Sequence, residues 1–262
     1  MSQLSEVNWR NALIIFFVLH ILVYPSSNGY NSYMDQDETP IGGLKNPMKP
    51  TKQLFFITIV IDVIAIAASF AISLYFATGV LLYILASRAY SYRGIRLKKY
   101  PVVGYLTVVL FQGALVFLIS YHGSSTNKTL NIPLTPMLAA ACLIGGYYPL
   151  TQIYQHDDDR KDGILTISML LGKRGTFLFC GGIFVAATLL MFMTFYSEDR
   201  LEAFYIFLGC MLPMLLFFGN WMNKVWRNEA EANFRNSLRM NILASSCTAI
   251  CFLTLLILRS VE

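Results

Sequence analysis

The sequence predicts an all-α, polytopic transmembrane helical bundle of eight helices, and three observations carry that prediction. Hydrophobic residues make up 56% of the 262 and charged residues only 13%, where a soluble domain carries about 25% charged residues. The charges are bunched between long apolar stretches instead of being spread over a surface. No stretch alternates apolar and polar residues with a period of two, so the backbone has to be satisfied within helices and not in a closed barrel.

The apolar runs lie at about 11–27, 54–74, 76–90, 101–121, 132–154, 175–196, 202–222 and 238–258. Between Leu54 and Tyr90 the only charge before Arg88 is Asp62. As one helix that stretch would be about 55 Å long at 1.5 Å per residue, too long for one crossing of a roughly 30 Å core. It reads as two helices joined by a tight turn near Ser73–Gly79. The first run, with Arg10 before it and "PSSNG" after it, also has the outline of a secretory signal peptide. The residues that follow it join a pattern continued far downstream, which favours a membrane helix.

Sorting the connections alternately places 16 of the 20 Lys and Arg residues on one side, in the segments 45–52, 88–99, 160–174 and 224–239. Arg10, Lys128, Arg200 and Arg259 fall on the other. The positive-inside rule makes the first side cytoplasmic and puts both termini outside. The net charge of +5 then reports topology, not a nucleic-acid surface. The five Cys (142, 180, 210, 247 and 251) all sit in apolar runs without a CxxC pair, as small packing residues do.

Seven of the fifteen acids fall in two loops on the cytoplasmic side. The first, "NSYMDQDE", holds Asp35, Asp37 and Glu38. The second, "YQHDDDRKDG", holds Asp157, Asp158, Asp159 and Asp162. A solvated helix end explains either cluster alone. Two on one side, each closing a transmembrane helix, suit Mg²⁺, which takes one or two carboxylates plus substrate phosphates. Asn31 and Asp35 are i,i+4, as are Asp158 and Asp162, so on a continuing helix each pair shares a face. The basic loop between them, "SRAYSYRGIRLKKYP", contributes to the positive-inside signal and could also hold a diphosphate. The chemistry assembled is ionisation of an allylic diphosphate beside an apolar cavity, followed by alkylation of a nucleophile arriving from the membrane.

With both loops in view, the chain resembles the UbiA superfamily of intramembrane prenyltransferases. "NSYMD" is similar to that family's first Asp-rich motif through Asn31 and Asp35. "QHDDDRKDGILTISMLLG" is similar to the second through Asp159, Gly163, Thr166 and the Leu171–Gly172 pair, and "YSYRGIRLKKYPVVG" to the family's Tyr/Arg/Lys stretch. The resemblance covers the chain from residue 11 onward as one domain, 1–262. It implies a nine-helix bundle of which this chain lacks the first helix, either as a short member of the family or because an upstream segment would supply it. It also implies transfer of a prenyl group, with Mg²⁺, from a polyprenyl diphosphate to a lipophilic, aromatic, quinone-precursor-like acceptor. The implied partners are the donor, the acceptor and membrane lipids, with no nucleic acid, in a bacterial plasma membrane with the active-site loops cytoplasmic. Asn31, Asp35, Asp158, Asp159 and Asp162 are the expected Mg²⁺–diphosphate ligands, with Asp35 and Asp159 central to catalysis. Tyr92, Arg93, Arg96, Lys98, Lys99, Arg160 and Lys161 are the expected substrate contacts.

The chain departs from the pattern at three positions. Ser32 and Thr39 stand where the first motif has Asp, and Gln155 replaces the leading Asp of the second. Asp37, Glu38, Asp157 and Asp158 are near enough to substitute. These departures keep a second class open, a non-catalytic or degenerate UbiA-like lipid-binding or transport protein. A CDP-alcohol phosphotransferase is excluded by the missing DG…AR…G…D…D motif.

Elsewhere, Asp62 lies mid-helix, where a charge is expensive; a cavity wall and a hydrogen-bonded packing residue are equally good readings. His20 reads as a satisfied helix histidine and His156 as a loop residue beside the second motif. Tyr90, Ser91, Tyr92, Tyr147 and Tyr148 are candidates to line the cavity, although interfacial anchoring accounts for any single Tyr. "NKT" at Asn127 is a formal glycosylation sequon.

Overall fold

The computed structural model describes residues 4, 6–36, 40 and 43–261. Among these, nine helices follow one another: α1 Trp9–Asp35, α2 Lys52–Ser69, α3 Leu74–Ser91, α4 Pro101–Ser124, α5 Leu134–Gln152, the short α6 His156–Lys161, α7 Ile167–Ser197, α8 Leu201–Arg227 and α9 Phe234–Val261. The eight long helices match the eight apolar runs in order. Asp37, Glu38 and Thr39 lie outside the described residues.

Six of these helices (α1, α2, α4, α7, α8 and α9) are long and apolar enough to cross a membrane. The other two long helices, α3 and α5, are 18 and 19 residues long and bury eight residues each against their neighbours. Arg88 in α3, and the Gly, Tyr, Pro and Gln positions of α5, lower their hydropathy. The lipid-type faces are plain on the others. Leu13 is 70% exposed, Val63 62%, Leu178 61% and Leu216 65%, a display that water would not tolerate over so many neighbours.

Local chemistry explains the breaks. The turn between α2 and α3 comes at residues 70–73, earlier than the sequence suggested, because Ser73 caps α3 by accepting from Phe76 N at 3.0 Å. Gly79 lies inside α3. In α1 a π-turn over Phe17–Val23 precedes Pro25, which has no N–H to donate. The widened turn lets the helix run on past it, carrying Asn31 and Asp35 on the same rod.

The chain folds as two compact units, 3–132 and 133–262. In the first, α1 packs against α2, α3 and α4 around Val18, Phe76, Val80 and Ile119. In the second, α5 packs along α7 and α8 along α9. Its centre is aromatic, with Phe177 edge-on to Trp221 at 4.9 Å, a contact worth about 0.5–1.5 kcal/mol beyond its area. The Trp221 indole donates to Glu231 O at 2.8 Å, tying the turn after α8 back to that helix. All five cysteines are free thiols.

Candidate functional site

In the first unit the candidate residues gather where α1 ends. Gln36 takes a left-handed conformation (φ 57°) and stops the helix, leaving Asn31 and Asp35 one turn apart on one face. After α3, the chain turns back through Tyr92–Arg96, with Arg96 N donating to Tyr92 O at 2.7 Å. Arg96 itself is left-handed (φ 51°), a conformation costing a non-glycine residue about 1–2 kcal/mol. A short 3₁₀ turn over Leu97–Lys99 follows. It lies directly on α4 at Gly104, where an added Cβ would come 3.0 Å from Lys98 Cα. A glycine there lets the loop backbone press onto the helix and aims Lys98 back at α1.

The result is a buried polar cluster. Lys98 Nζ and Arg96 Nη2 both pair with Asp35, the latter at 3.4 Å, and all three side chains are 6–10% exposed. Lys98 also reaches Asn31 Oδ1 at 3.4 Å, and the Ser91 hydroxyl donates to that oxygen at 2.7 Å. The neighbouring candidates have further described contacts. Arg93 Nε donates to Met34 O at 2.8 Å, satisfying one of the last carbonyls of α1. Lys99 lies 5.0 Å from the Tyr100 ring, and Tyr92 is half exposed.

In the second unit the acidic run forms α6, closed by a Schellman turn. Gly163 N donates to Arg160 O (3.2 Å) and Ile164 N to Asp159 O (2.8 Å), which requires the positive φ of Gly163 (69°). Thr166 caps α7 by accepting from Met169 N at 3.3 Å. At Gly172 (φ 67°, ψ 168°) the first turn of α7 breaks from the rest. That region is open essentially to glycine alone. The Gly, Thr and Leu–Gly positions of the second motif thus shape the chain around the carboxylates.

Asp158 pairs with Lys161 at 3.0 Å and Asp157 with Arg160 at 3.6 Å, both at the surface. Asp162 caps the end of α6 and Asp159 is half-buried. Behind α6 lies a cavity of about 300 Å³ whose lining includes His156, Asp157, Arg160, Gly172, Lys173 and Glu229. His156 is not in a loop but opens α6, with Nε2 2.8 Å from Ser168 Oγ. Burial, reinforced by Lys173 and Arg160, pushes its pKa down to about 4, so it is neutral near pH 7.

The donor atoms of the first cluster suit Mg²⁺. Asn31 Oδ1 and an Asp35 carboxylate oxygen already converge on one cation, the Lys98 ammonium, and both are hard oxygens. Among the described residues no three His, Cys, Asp or Glu side chains form an all-protein cage.

The sequence reading missed one network. Asp62 is buried and paired with Arg88, whose Nε donates to it at 3.0 Å. The Ser26 hydroxyl donates to Asp62 at 2.6 Å and accepts from Arg88 Nη2 at 3.0 Å. The guanidinium lies 4.0 Å from the centre of the Tyr30 ring. The signal was present: one acid and one base in an otherwise uncharged stretch from Leu54 to Tyr90. His122, which no motif flagged, is buried 3.0 Å from Ser73 Oγ. His20 sits on α1 between the rings of Phe16 and Tyr24.

The profile of the UbiA prenyltransferase family matches residues 1–243. The chain belongs to that family. It is accordingly an integral membrane protein of a prenyltransferase family, in keeping with its six candidate spans. Solved UbiA homologues share the fold at low identity. One from Archaeoglobus fulgidus bound to GPP and Mg²⁺ has a TM-score of 0.70 at 18% identity, over 96% of this chain and 90% of that one. The apo form of one from Aeropyrum pernix K1 has a TM-score of 0.66 at 16% identity, over 95% and 93%. A digeranylgeranylglyceryl phosphate synthase has a TM-score of 0.61 at 17% identity, over 96% and 86%. No curated protein sequence matches the chain.

Proposed function

We propose that this UbiA-family chain transfers a prenyl group from a polyprenyl diphosphate to a lipophilic, aromatic, quinone-precursor-like acceptor within the membrane, with Mg²⁺ as cofactor. The observation that carries the reading is the buried meeting of Asn31, Asp35, Arg96 and Lys98 at the end of a membrane-crossing helix. Clustered cations beside a carboxylate and an amide oxygen suit a metal–diphosphate, an anion that takes both kinds of partner. The homologue bound to GPP and Mg²⁺ supports the donor class.

In this reading Asn31 and Asp35 in the first unit, and Asp158, Asp159 and Asp162 in the second, are metal–diphosphate ligands, and Arg96 and Lys98 would donate to phosphate oxygens. Tyr92, Arg93, Lys99, Arg160 and Lys161 lie close enough in sequence to assist. Held there, Mg²⁺ would supply neutralisation of the charge that builds on the leaving diphosphate. The buried guanidinium and ammonium act in the same direction with little reorganisation, because Asp35 already holds them in place. Residues 1–262 work as one domain, supported by a family match that runs through both compact units. The bias of 16 of 20 Lys and Arg to one side supports cytoplasmic motif loops, and the membrane of this reading is a bacterial plasma membrane.

The test uses the purified full chain in lipid nanodiscs with radiolabelled geranyl diphosphate and a panel of aromatic acceptors. EDTA abolishes transfer and Mg²⁺ restores it. Asp35→Ala and Asp159→Ala each lower turnover at least 100-fold while the protein still inserts. Unchanged turnover in both variants would sink the assignment.

A further inference from the structure

The first motif stands on a second polar layer deeper along the same helices. Arg88 and Ser91 are i,i+3 on α3, and Ser26 and Tyr30 are i,i+4 on α1, so each pair shares a face. Two rungs therefore join α1 to α3. The upper one is Ser91 to Asn31, at 2.7 Å. The lower one is Arg88 to Ser26 at 3.0 Å, with the guanidinium also over the Tyr30 ring. Along α3 the rungs are about 4.5 Å apart, three residues at 1.5 Å each. Asp62 brings α2 into the lower rung, since its carboxylate accepts from both Arg88 and Ser26.

A charge pair inside a membrane helix bundle is costly to bury, and replacing such a pair with apolar residues is often neutral or stabilising. Stability alone is thus a poor reason for it. Among the described residues Arg88 Nη1, moreover, is buried without a hydrogen-bond partner, which adds to that cost. What the pair does supply is geometry. A guanidinium fork fixes direction as well as distance, and here it sets how α1 is rotated and spaced against α2 and α3. That rotation decides whether Asn31 meets Ser91 and whether Asp35 meets Lys98.

We propose that Arg88 and Asp62 are positioning residues for the first motif, locking three helices so that Asn31 and Asp35 are presented to the donor's metal–diphosphate. The proposal rests on the reading of that motif as the diphosphate site, and the two are separable by experiment. The paired replacement Arg88→Met with Asp62→Leu removes both charges and keeps the volume apolar. The Asn31–Ser91 approach is read directly in nanodiscs, in a full chain whose five native cysteines are replaced. There the disulfide-forming pair Asn31→Cys and Ser91→Cys is oxidised with and without the paired replacement. In parallel, with Asn31 and Ser91 intact, the KM for geranyl diphosphate and kcat are measured at saturating Mg²⁺.

The expected result is cross-linking at least tenfold slower and a donor KM at least tenfold higher, with kcat changed less than KM and a near-native melting temperature. Arg88→Lys, which keeps the charge but not the fork, falls between. Should the paired replacement fail to insert, Arg88→Lys and Asp62→Asn carry the same two measurements, and a native KM and native cross-linking in both overturns the proposal. Native cross-linking with a raised KM also overturns it, assigning Arg88 to direct contact with the donor. Slowed cross-linking in a chain whose unmutated form transfers no prenyl group refutes the proposed function and leaves the positioning role standing.

Discussion

Lys98 and Lys99 are adjacent, identical in type and opposite in situation, so methionine at each makes a matched pair. Lys98 is 9% exposed and pairs with Asp35, itself 6% exposed. Removing one partner of a buried ion pair costs about 3–5 kcal/mol, because the other charge is left in low dielectric. Arg96 remains at 3.4 Å from Asp35, so Lys98→Met belongs at the low end, about 3 kcal/mol. That is roughly a hundredfold in the unfolding equilibrium. Lys99 is exposed, and its side chain lies 5.0 Å from the Tyr100 ring, a surface cation–π contact worth about 0.5–1 kcal/mol. Methionine retains much of the stem packing, so the loss from Lys99→Met stays below about 1 kcal/mol. Unfolding of each purified variant by SDS titration in mixed micelles, followed by circular dichroism, reads the difference. Donor KM should rise more with Lys98→Met than with Lys99→Met. Equal destabilisation by the two changes, or the larger effect at Lys99, would refute the reasoning.

Two further outcomes follow from the second unit. Gly172→Ala and Gly182→Ala add the same methyl group to the same helix, with no heavy atom within 4 Å of either new Cβ. Gly172 has φ 67°, so alanine there destabilises by about 1–3 kcal/mol, whereas in regular helix at Gly182 it stabilises by about 0.5–1 kcal/mol. Melting temperatures in detergent should therefore move in opposite directions. The pKa of His156 is about 4 in the fold against about 6.5 in the unfolded chain. Above pH 6.5 both states are neutral there and its contribution is fully present. As pH falls toward 4, the unfolded state takes up a proton that the folded state refuses, and stability drops. His156→Gln should flatten the melting temperature between pH 6.5 and 4 relative to the native chain.

Much of the site was legible because its signals are local. The i,i+4 spacing of Asn31 and Asp35 needed only the continuation of α1 past Pro25, which the π-turn provides. Gly163 ends α6 as a glycine after a polar helical run should. The pairing of Asp62 with Arg88 was also within reach, since two lone opposite charges in an apolar stretch have few other partners. The second motif was legible as an acidic run but not as a two-sided helix. Placing His156, Asp157 and Arg160 on a cavity depends on how α6 is rotated by the Schellman turn and the break at Gly172.

By itself, then, the sequence determined the helical class, the order of the eight long helices and the acidic and basic segments. Those properties reside in apolar run length and charge placement, which survive any arrangement of the helices. Only the tertiary structure decided that Arg96 and Lys98 pair with Asp35 while Lys99 lies exposed beside Tyr100. That choice follows from a left-handed Arg96 and from a loop pressed onto Gly104. It joins residues some 60 positions apart in the chain, and no local periodicity encodes which of two neighbouring lysines a folded loop will turn inward.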